Sequence, residues 1–109
     1  KDGITVVQAD TSGKATAVTA SAHSGKITMD DATLNAGDEV LVTVTNTKVA
    51  ATDVIEVQHV SAGTAGAYLV QACDIGAGSF KIVVTNVTAA SNLGEAIVLH
   101  FAVIKGSHT

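Results

Sequence analysis

Hydrophobic residues form their longest nearly unbroken run between Glu95 and Lys105, close to the C-terminus. The side chains of a strand alternate between its two faces, and in this run both faces are apolar. One face holds Ile97, Leu99, Phe101 and Val103. The other holds Ala96, Val98, His100, Ala102 and Ile104, of which only His100 is polar. β-Branched and aromatic residues between two flanking glycines favour a strand over a helix.

A strand with two apolar faces needs cover on both sides. We assign the face that carries Phe101 to the core of the domain. In so small a chain, the cover for the other face is a neighbouring copy of the protein. The predicted residues of this subunit interface are Val98, His100, Ala102 and Ile104.

Seven more segments with strand-like alternation precede this run. They are Ile4–Gln8, Ala15–Thr19, Gly25–Met29, Asp38–Asn46, Asp53–Ser61, Tyr68–Cys73 and Ser79–Asn86. Turns are predicted at Asp10–Lys14 and Asp74–Gly78, and Asp30–Gly37 is predicted as a connection with one helical turn. Short strands with turn signals every 8 to 12 residues are typical of a sandwich or barrel. We therefore predict a single all-β domain over residues 1–109, an antiparallel β-sandwich of about eight strands of jelly-roll or Greek-key type.

Composition narrows the possible functions. The 109 residues are 47% hydrophobic with a net charge of −4, which is too apolar for a disordered chain. There is no arginine and the six lysines are scattered, so nucleic-acid binding is not expected. No apolar run approaches the roughly 18 to 20 residues of a membrane span, so membrane insertion is not expected either. One cysteine, Cys73, excludes an intrachain disulfide.

Residues with catalytic or metal-binding chemistry are few. The four histidines, His23, His59, His100 and His108, lack the short spacing of zinc ligands, although copies of His59 or His100 could meet at the axis of a trimer. Cys73 is best interpreted as a small buried hydrophobe. Asn86-Val87-Thr88 matches a glycosylation sequon, a pattern that also arises by chance. No nucleophile elbow or phosphate loop is present. We therefore expect a protein that is not an enzyme and uses no cofactor or metal.

Several blocks of the sequence resemble, in order, a small domain encoded in tailed-bacteriophage genomes. The blocks are Ser24–Met29, Val42–Asn46, Val49–Val54, Gly63–Tyr68, Ala77–Phe80, Val84–Asn86, Glu95–Leu99 and Phe101–Lys105. The resemblance covers nearly the whole chain from about Ile4. In that family the domain occurs as a short free-standing protein among virion genes and as the C-terminal part of longer proteins.

The resemblance implies a structural role on the surface of the phage particle and no catalytic residues. The first expectation is a head decoration or cement protein that forms homotrimers and contacts the major capsid protein or other virion proteins. The alternative is a tail-fibre or knob module that binds a host-surface receptor. Its binding edge would then consist of the loops Thr47–Thr52, Ala62–Ala67 and Val87–Gly94.

Overall fold

A computed structural model describes residues 3–8 and 13–106. The predicted turn at Asp10–Lys14 lies mostly outside this range, as does His108. Within the described residues the protein contains eight strands and no helix, so no helix is present that could cross a membrane. The strands are β1 (Gly3–Val7), β2 (Val18–Thr19), β3 (Ser24–Thr28), β4 (Glu39–Thr45), β5 (Val54–Ser61), β6 (Tyr68–Gly76), β7 (Ser79–Asn86) and β8 (Val98–Ile104).

The strands form two four-stranded sheets. Sheet A has the order β1-β3-β8-β5 and sheet B has the order β2-β4-β7-β6. Consecutive strands alternate between the sheets, except that β6 and β7 form a hairpin within sheet B. The chain therefore crosses the core at almost every connection.

Both sheets are mixed, which corrects the antiparallel prediction. Four of the strand pairs in the described residues are antiparallel, but β1 pairs with β3 and β2 pairs with β4 in parallel. Parallel neighbours arise here because one strand of the opposite sheet separates the two members of each pair along the chain. Side-chain alternation is the same in both directions, so the sequence pattern does not indicate the direction of pairing.

The core lies between the two sheets and is aliphatic around one pair of aromatic rings. Phe80 of sheet B packs against Phe101 of sheet A with the ring centroids 5.7 Å apart. Around this pair lie buried branched side chains from both sheets, namely Ile27, Val42, Val44, Ile55, Ile82, Val84, Ile97 and Leu99. The predicted core face of the C-terminal strand is confirmed, with Val103 packed at the margin.

Local details depart from the prediction at three places. The connection before β4 forms no helical turn and instead makes an isolated bridge between Leu34 and Leu93. Strand β6 continues beyond Cys73 to Gly76 through a register shift at which Asp74 has a φ of 53°. Cys73 is half-buried on the outer face of sheet B, opposite Lys81, so the prediction of a buried hydrophobe at this position was wrong.

Candidate functional site

The face of β8 predicted as a subunit interface is the outer face of sheet A. His100 and Ala102 are exposed, Ile104 is 50% exposed and Val98 is half-buried. β8 lies in the interior of the sheet between β3 and β5, so its backbone is paired on both edges. Only side chains are therefore available to a partner at these four positions.

Polar neighbours flank the centre of this face. His100 lies between Lys26 of β3 and Gln58 of β5, and Ala102 lies between Ser24 and Glu56. The outer face of sheet A is thus less apolar than β8 alone suggests, because the neighbouring strands contribute hydrophilic residues to the same rows.

The apolar part of the face is concentrated at one end of β8. There Ile104 pairs directly with Val54 of β5, and these side chains are 50% and 47% exposed. Directly opposed side chains on one face of an antiparallel pair are close enough to contact one another. Half of each side chain nevertheless remains in water in the single chain.

A buried carboxylate fixes the position of this pair. Asp53 precedes β5 and its side chain is fully buried. Its oxygens accept hydrogen bonds from the Lys105 ammonium at 2.6 Å, the Ala50 amide at 2.8 Å and the Gly106 amide at 3.2 Å. The Lys105 contact, with help from the amides, lowers the pKa of Asp53 to about 2. The end of β8 is therefore clamped to the start of β5.

A second polar cluster lies at the opposite end of the molecule and comprises His59, Thr64, Tyr68 and Glu95. The Glu95 carboxylate accepts hydrogen bonds from the Tyr68 hydroxyl at 2.8 Å and from the amide and hydroxyl of Thr64 at 2.9 and 2.8 Å. The His59 ring packs edge-on against Tyr68, with the centroids 5.4 Å apart. This cluster attaches the exposed loop 62–67 to the segment before β8.

The protonation states of this cluster suit a structural role. The hydrogen bond from Tyr68 and those from Thr64 lower the pKa of Glu95, while burial and the neighbouring carboxylate raise the pKa of Tyr68. His59 Nε2 lies 2.6 Å from the Ala62 carbonyl oxygen, which can only accept, so this nitrogen carries the proton. The Glu95 carboxylate therefore stays ionised and the Tyr68 hydroxyl stays protonated. The His59 Nε2–H already donates to the Ala62 carbonyl.

Lys14, which the sequence placed in a turn, is a buried residue. Its ammonium donates to the backbone carbonyls of Asp30 and Glu95, the latter at 2.7 Å. Burial lowers the pKa of Lys14, and the nearby acidic residues oppose that change. Gln8 completes the network, since its amide donates to the Lys14 carbonyl and its oxygen accepts from the Asp30 amide. Three loop segments are thus cross-linked by polar side chains that hydrophobic patterning could not find.

The three loops predicted as one binding edge do not lie together. Val87 donates a backbone hydrogen bond to Ala67 at 2.9 Å, so the second and third loops are neighbours. The loop Thr47–Thr52 precedes the eight residues of β5 and Ala62–Ala67 follows them. At about 3.3 Å per residue these two loops are roughly 26 Å apart. A binding edge made of all three loops is therefore ruled out.

Asn86, the first residue of the glycosylation sequon, has a structural role in the folded chain. Asn86 is fully buried, and its amide nitrogen donates to the carbonyls of Leu34 and Ser91, both at 2.8 Å. Its oxygen accepts from the Thr88 amide at 3.0 Å. All of its polar atoms thus have protein partners, and the side chain presents no surface for modification.

The histidines are distributed over different parts of the fold. His59 belongs to the cluster around Glu95, whereas His100 lies on the outer face of sheet A. Among residues 3–8 and 13–106, no three His, Cys, Asp or Glu side chains are grouped as metal ligands would be. Comparison of the chain with protein-family models, with curated proteins and with solved structures found no match.

Proposed function

We propose that the protein is a non-enzymatic structural component of a tailed-bacteriophage particle, a head decoration or cement protein that assembles as a homotrimer on the capsid surface. The observation that carries this proposal is the outer face of β8, where Ile104 and its neighbour Val54 are each about half exposed. The resemblance of the ordered sequence blocks to small phage virion domains is the basis for the biological setting that we propose.

Subunit contact through Val98, His100, Ala102 and Ile104 would cover this surface. Burial of apolar surface contributes about 25 cal/mol per Å², from which the cost of association is subtracted. The clamp between Asp53 and Lys105 supports the role, because it holds Ile104 and Val54 in place before a partner arrives. Contacts that bridge neighbouring capsid subunits would then resist rupture of the shell.

The proposal includes the finer description of the fold as a β-sandwich of jelly-roll or Greek-key type. It is supported by the alternation of consecutive strands between the two sheets, from β1 through β6. A jelly roll likewise arranges eight strands in two sheets, whereas the parallel pairs β1–β3 and β2–β4 depart from the antiparallel Greek-key motif.

The assembly is tested by sedimentation of the purified chain and of two matched variants. Ile104→Glu places a charge on the β8 face and is expected to reduce a trimer to smaller species. Val87→Glu is the control, because Val87 is equally exposed at 52% but lies in the loop after β7. A wild-type chain that sediments as a monomer at every concentration, or equal loss of assembly in both variants, would overturn the subunit interface.

The proposed location on the phage head is tested with purified phage particles. Antibodies to the protein should label phage heads, and particles that lack the protein should release DNA at lower temperature or after milder osmotic shock than complete particles. Absence of the protein from purified particles would exclude the whole proposal.

A second candidate function is a tail-fibre or knob module that binds a host-surface receptor. It is favoured by the adjacent exposed loops 62–67 and 87–94 at one end of the molecule, where Glu95 holds the first loop in a fixed conformation. Labelling of tails rather than heads, together with binding of the isolated protein to host cells, would select this function. Binding should then be reduced by Thr64→Arg and unaffected by Thr47→Arg at the opposite end.

A further inference from the structure

A second exposed apolar surface lies on the outer face of sheet B, on the opposite side of the molecule from the β8 face. Leu41 of β4 is 47% exposed and Leu69 of β6 is 58% exposed, with half-buried Val83 of β7 between their strands. Together with Glu39, Gln71, Cys73 and Thr85 these side chains line one shallow depression. We call this surface the sheet B patch.

The strand register arranges the patch as three rows of three side chains. Leu41, Val83 and Gln71 form the middle row. One outer row contains Glu39, Thr85 and Leu69, and the other contains Thr43, Lys81 and Cys73. The rows are about 7 Å apart, because two residues separate successive side chains on one face. Leu41 and Val83 thus lie side by side in the middle row and Leu69 lies in one outer row, with Glu39 and Lys81 in opposite outer rows.

We propose that the sheet B patch binds the same patch of a second copy, around a two-fold axis that runs along the middle row. This axis places Leu41 against Leu41 and Val83 against Val83 of the second copy. It also exchanges the outer rows, so that Leu69 of each copy covers Cys73 of the other.

Charge complementarity favours a second copy of the chain as the partner and the middle row as the two-fold axis. Within one chain, Glu39 and Lys81 lie two rows apart, and Lys81 pairs with Asp74 at 3.1 Å. The proposed axis brings Glu39 of each copy beside Lys81 of the other, at both ends of the patch. An axis parallel to β7 would instead place Lys81 against Lys81 and Leu41 against Gln71, which pairs like charges and leaves the leucine against an amide.

The size of the patch indicates a weak dimer. The three rows contain nine residues, whereas a standard interface contains about 20–30 residues on each side. We expect a dissociation constant on the order of 10⁻⁵–10⁻⁴ M, which becomes relevant when copies are concentrated on a surface. The inference does not depend on the proposed function, since the β8 face lies on the other sheet.

Sedimentation of Ile104→Glu isolates this contact, because that variant lacks the β8 interface. The variant is expected to form dimers as its concentration rises toward the millimolar range. Adding Leu41→Glu should raise the dissociation constant at least on the order of tenfold, since a charge would be buried against its own copy. Glu39→Lys should also weaken the dimer, and Glu39→Lys with Lys81→Glu should restore it. Circular dichroism checks that each variant is folded.

Alkylation of Cys73 provides an independent measurement on the unmodified chain. The thiol should react more slowly as the concentration of protein rises, because Leu69 of the second copy covers it. No disulfide should form, because each Cys73 lies one row from the axis and the two Cα atoms are about 17 Å apart across a spacing of about 10 Å between sheets. A monomeric Ile104→Glu variant at all concentrations, a charge-reversal pair that fails to restore the dimer, or alkylation independent of concentration would overturn the proposal. Binding of a different protein that Leu41→Glu abolishes, in a chain that does not dimerise, would assign the patch to that protein and would also overturn the proposal.

Discussion

Gly25 lies directly against the ring of Phe101, so that a Cβ atom on residue 25 would come within 2.5 Å of the ring and within 2.8 Å of Ile4. Gly25 and Phe101 are partners in the register between β3 and β8, and the Phe101 ring also packs against Phe80. β3 can pass this close to the Phe80–Phe101 pair only at a glycine, which has no side chain.

Gly25→Ala is therefore expected to lower the free energy of unfolding by about 1–3 kcal/mol, the usual cost of overpacking a core. Urea unfolding measures the change. Gly76→Ala is the matched control, because nothing lies within 4 Å of a Cβ atom at that strand position. If the two substitutions have the same effect, the steric argument at Gly25 is wrong.

Asn86→Ala is expected to lower the free energy of unfolding by about 2–4 kcal/mol, because it removes the buried hydrogen bonds to the Leu34 and Ser91 carbonyls and leaves the Thr88 amide without its acceptor. Asn35→Ala, at an exposed position in the connection before β4, should change stability by less than about 0.5 kcal/mol. Equal stability of the Asn86 variant and the wild type would show that water replaces the amide.

Much of the core could be predicted from alternation alone. The segments of β4 and β7 and the buried face of β8 were predicted, because each segment places aliphatic or aromatic residues at every second position. The outer face of β8 was identified as well, but its setting was not. The positions of Lys26, Glu56 and Gln58 beside this face follow from the strand order, and a periodic pattern does not reveal the strand order.

The polar interior could not be predicted, because hydrophobic patterning assigns such residues to the surface. Lys14 and Gln8 read as turn and strand-end residues, yet they are buried and cross-link three loops through backbone carbonyls. Asn86 matched a modification motif, whereas its amide holds two loops in place. One signal in the sequence is a polar residue at the end of a predicted strand, such as Gln8 or Asn86. At such positions the backbone carbonyls of the adjacent loops need hydrogen-bond donors.

Stability should fall as the pH decreases from about 4 to about 2, because Asp53 has a pKa of about 2 in the folded chain and an ordinary value near 3.8 when unfolded. The unfolded state binds the proton first, so acid favours unfolding over this range. Urea midpoints between pH 2 and pH 7 measure the effect. Asp53→Asn should be less stable than the wild type at pH 7, and the difference should shrink toward pH 2.

Glu56→Gln controls for the removal of one negative charge, because Glu56 is exposed on the outer face of sheet A. Its unfolding profile should follow that of the wild type. A constant difference between Asp53→Asn and the wild type across the whole pH range would contradict the assignment to ionised Asp53.

Loop 62–67 should lose its fixed conformation when Glu95 is replaced by Ala, because the carboxylate accepts from both the amide and the hydroxyl of Thr64. Hydrogen exchange at the Thr64 amide is expected to accelerate on the order of tenfold, since its acceptor is lost and local opening becomes easier. Tyr68→Phe removes only the hydroxyl that donates to the same carboxylate, so it should leave the exchange at Thr64 close to the wild-type rate. Unchanged exchange in Glu95→Ala would mean that the left-handed backbone at Ala62, Gly63 and Gly66 is enough to fix the loop. Equal acceleration in Glu95→Ala and Tyr68→Phe would instead indicate that the core around Tyr68 has loosened in general.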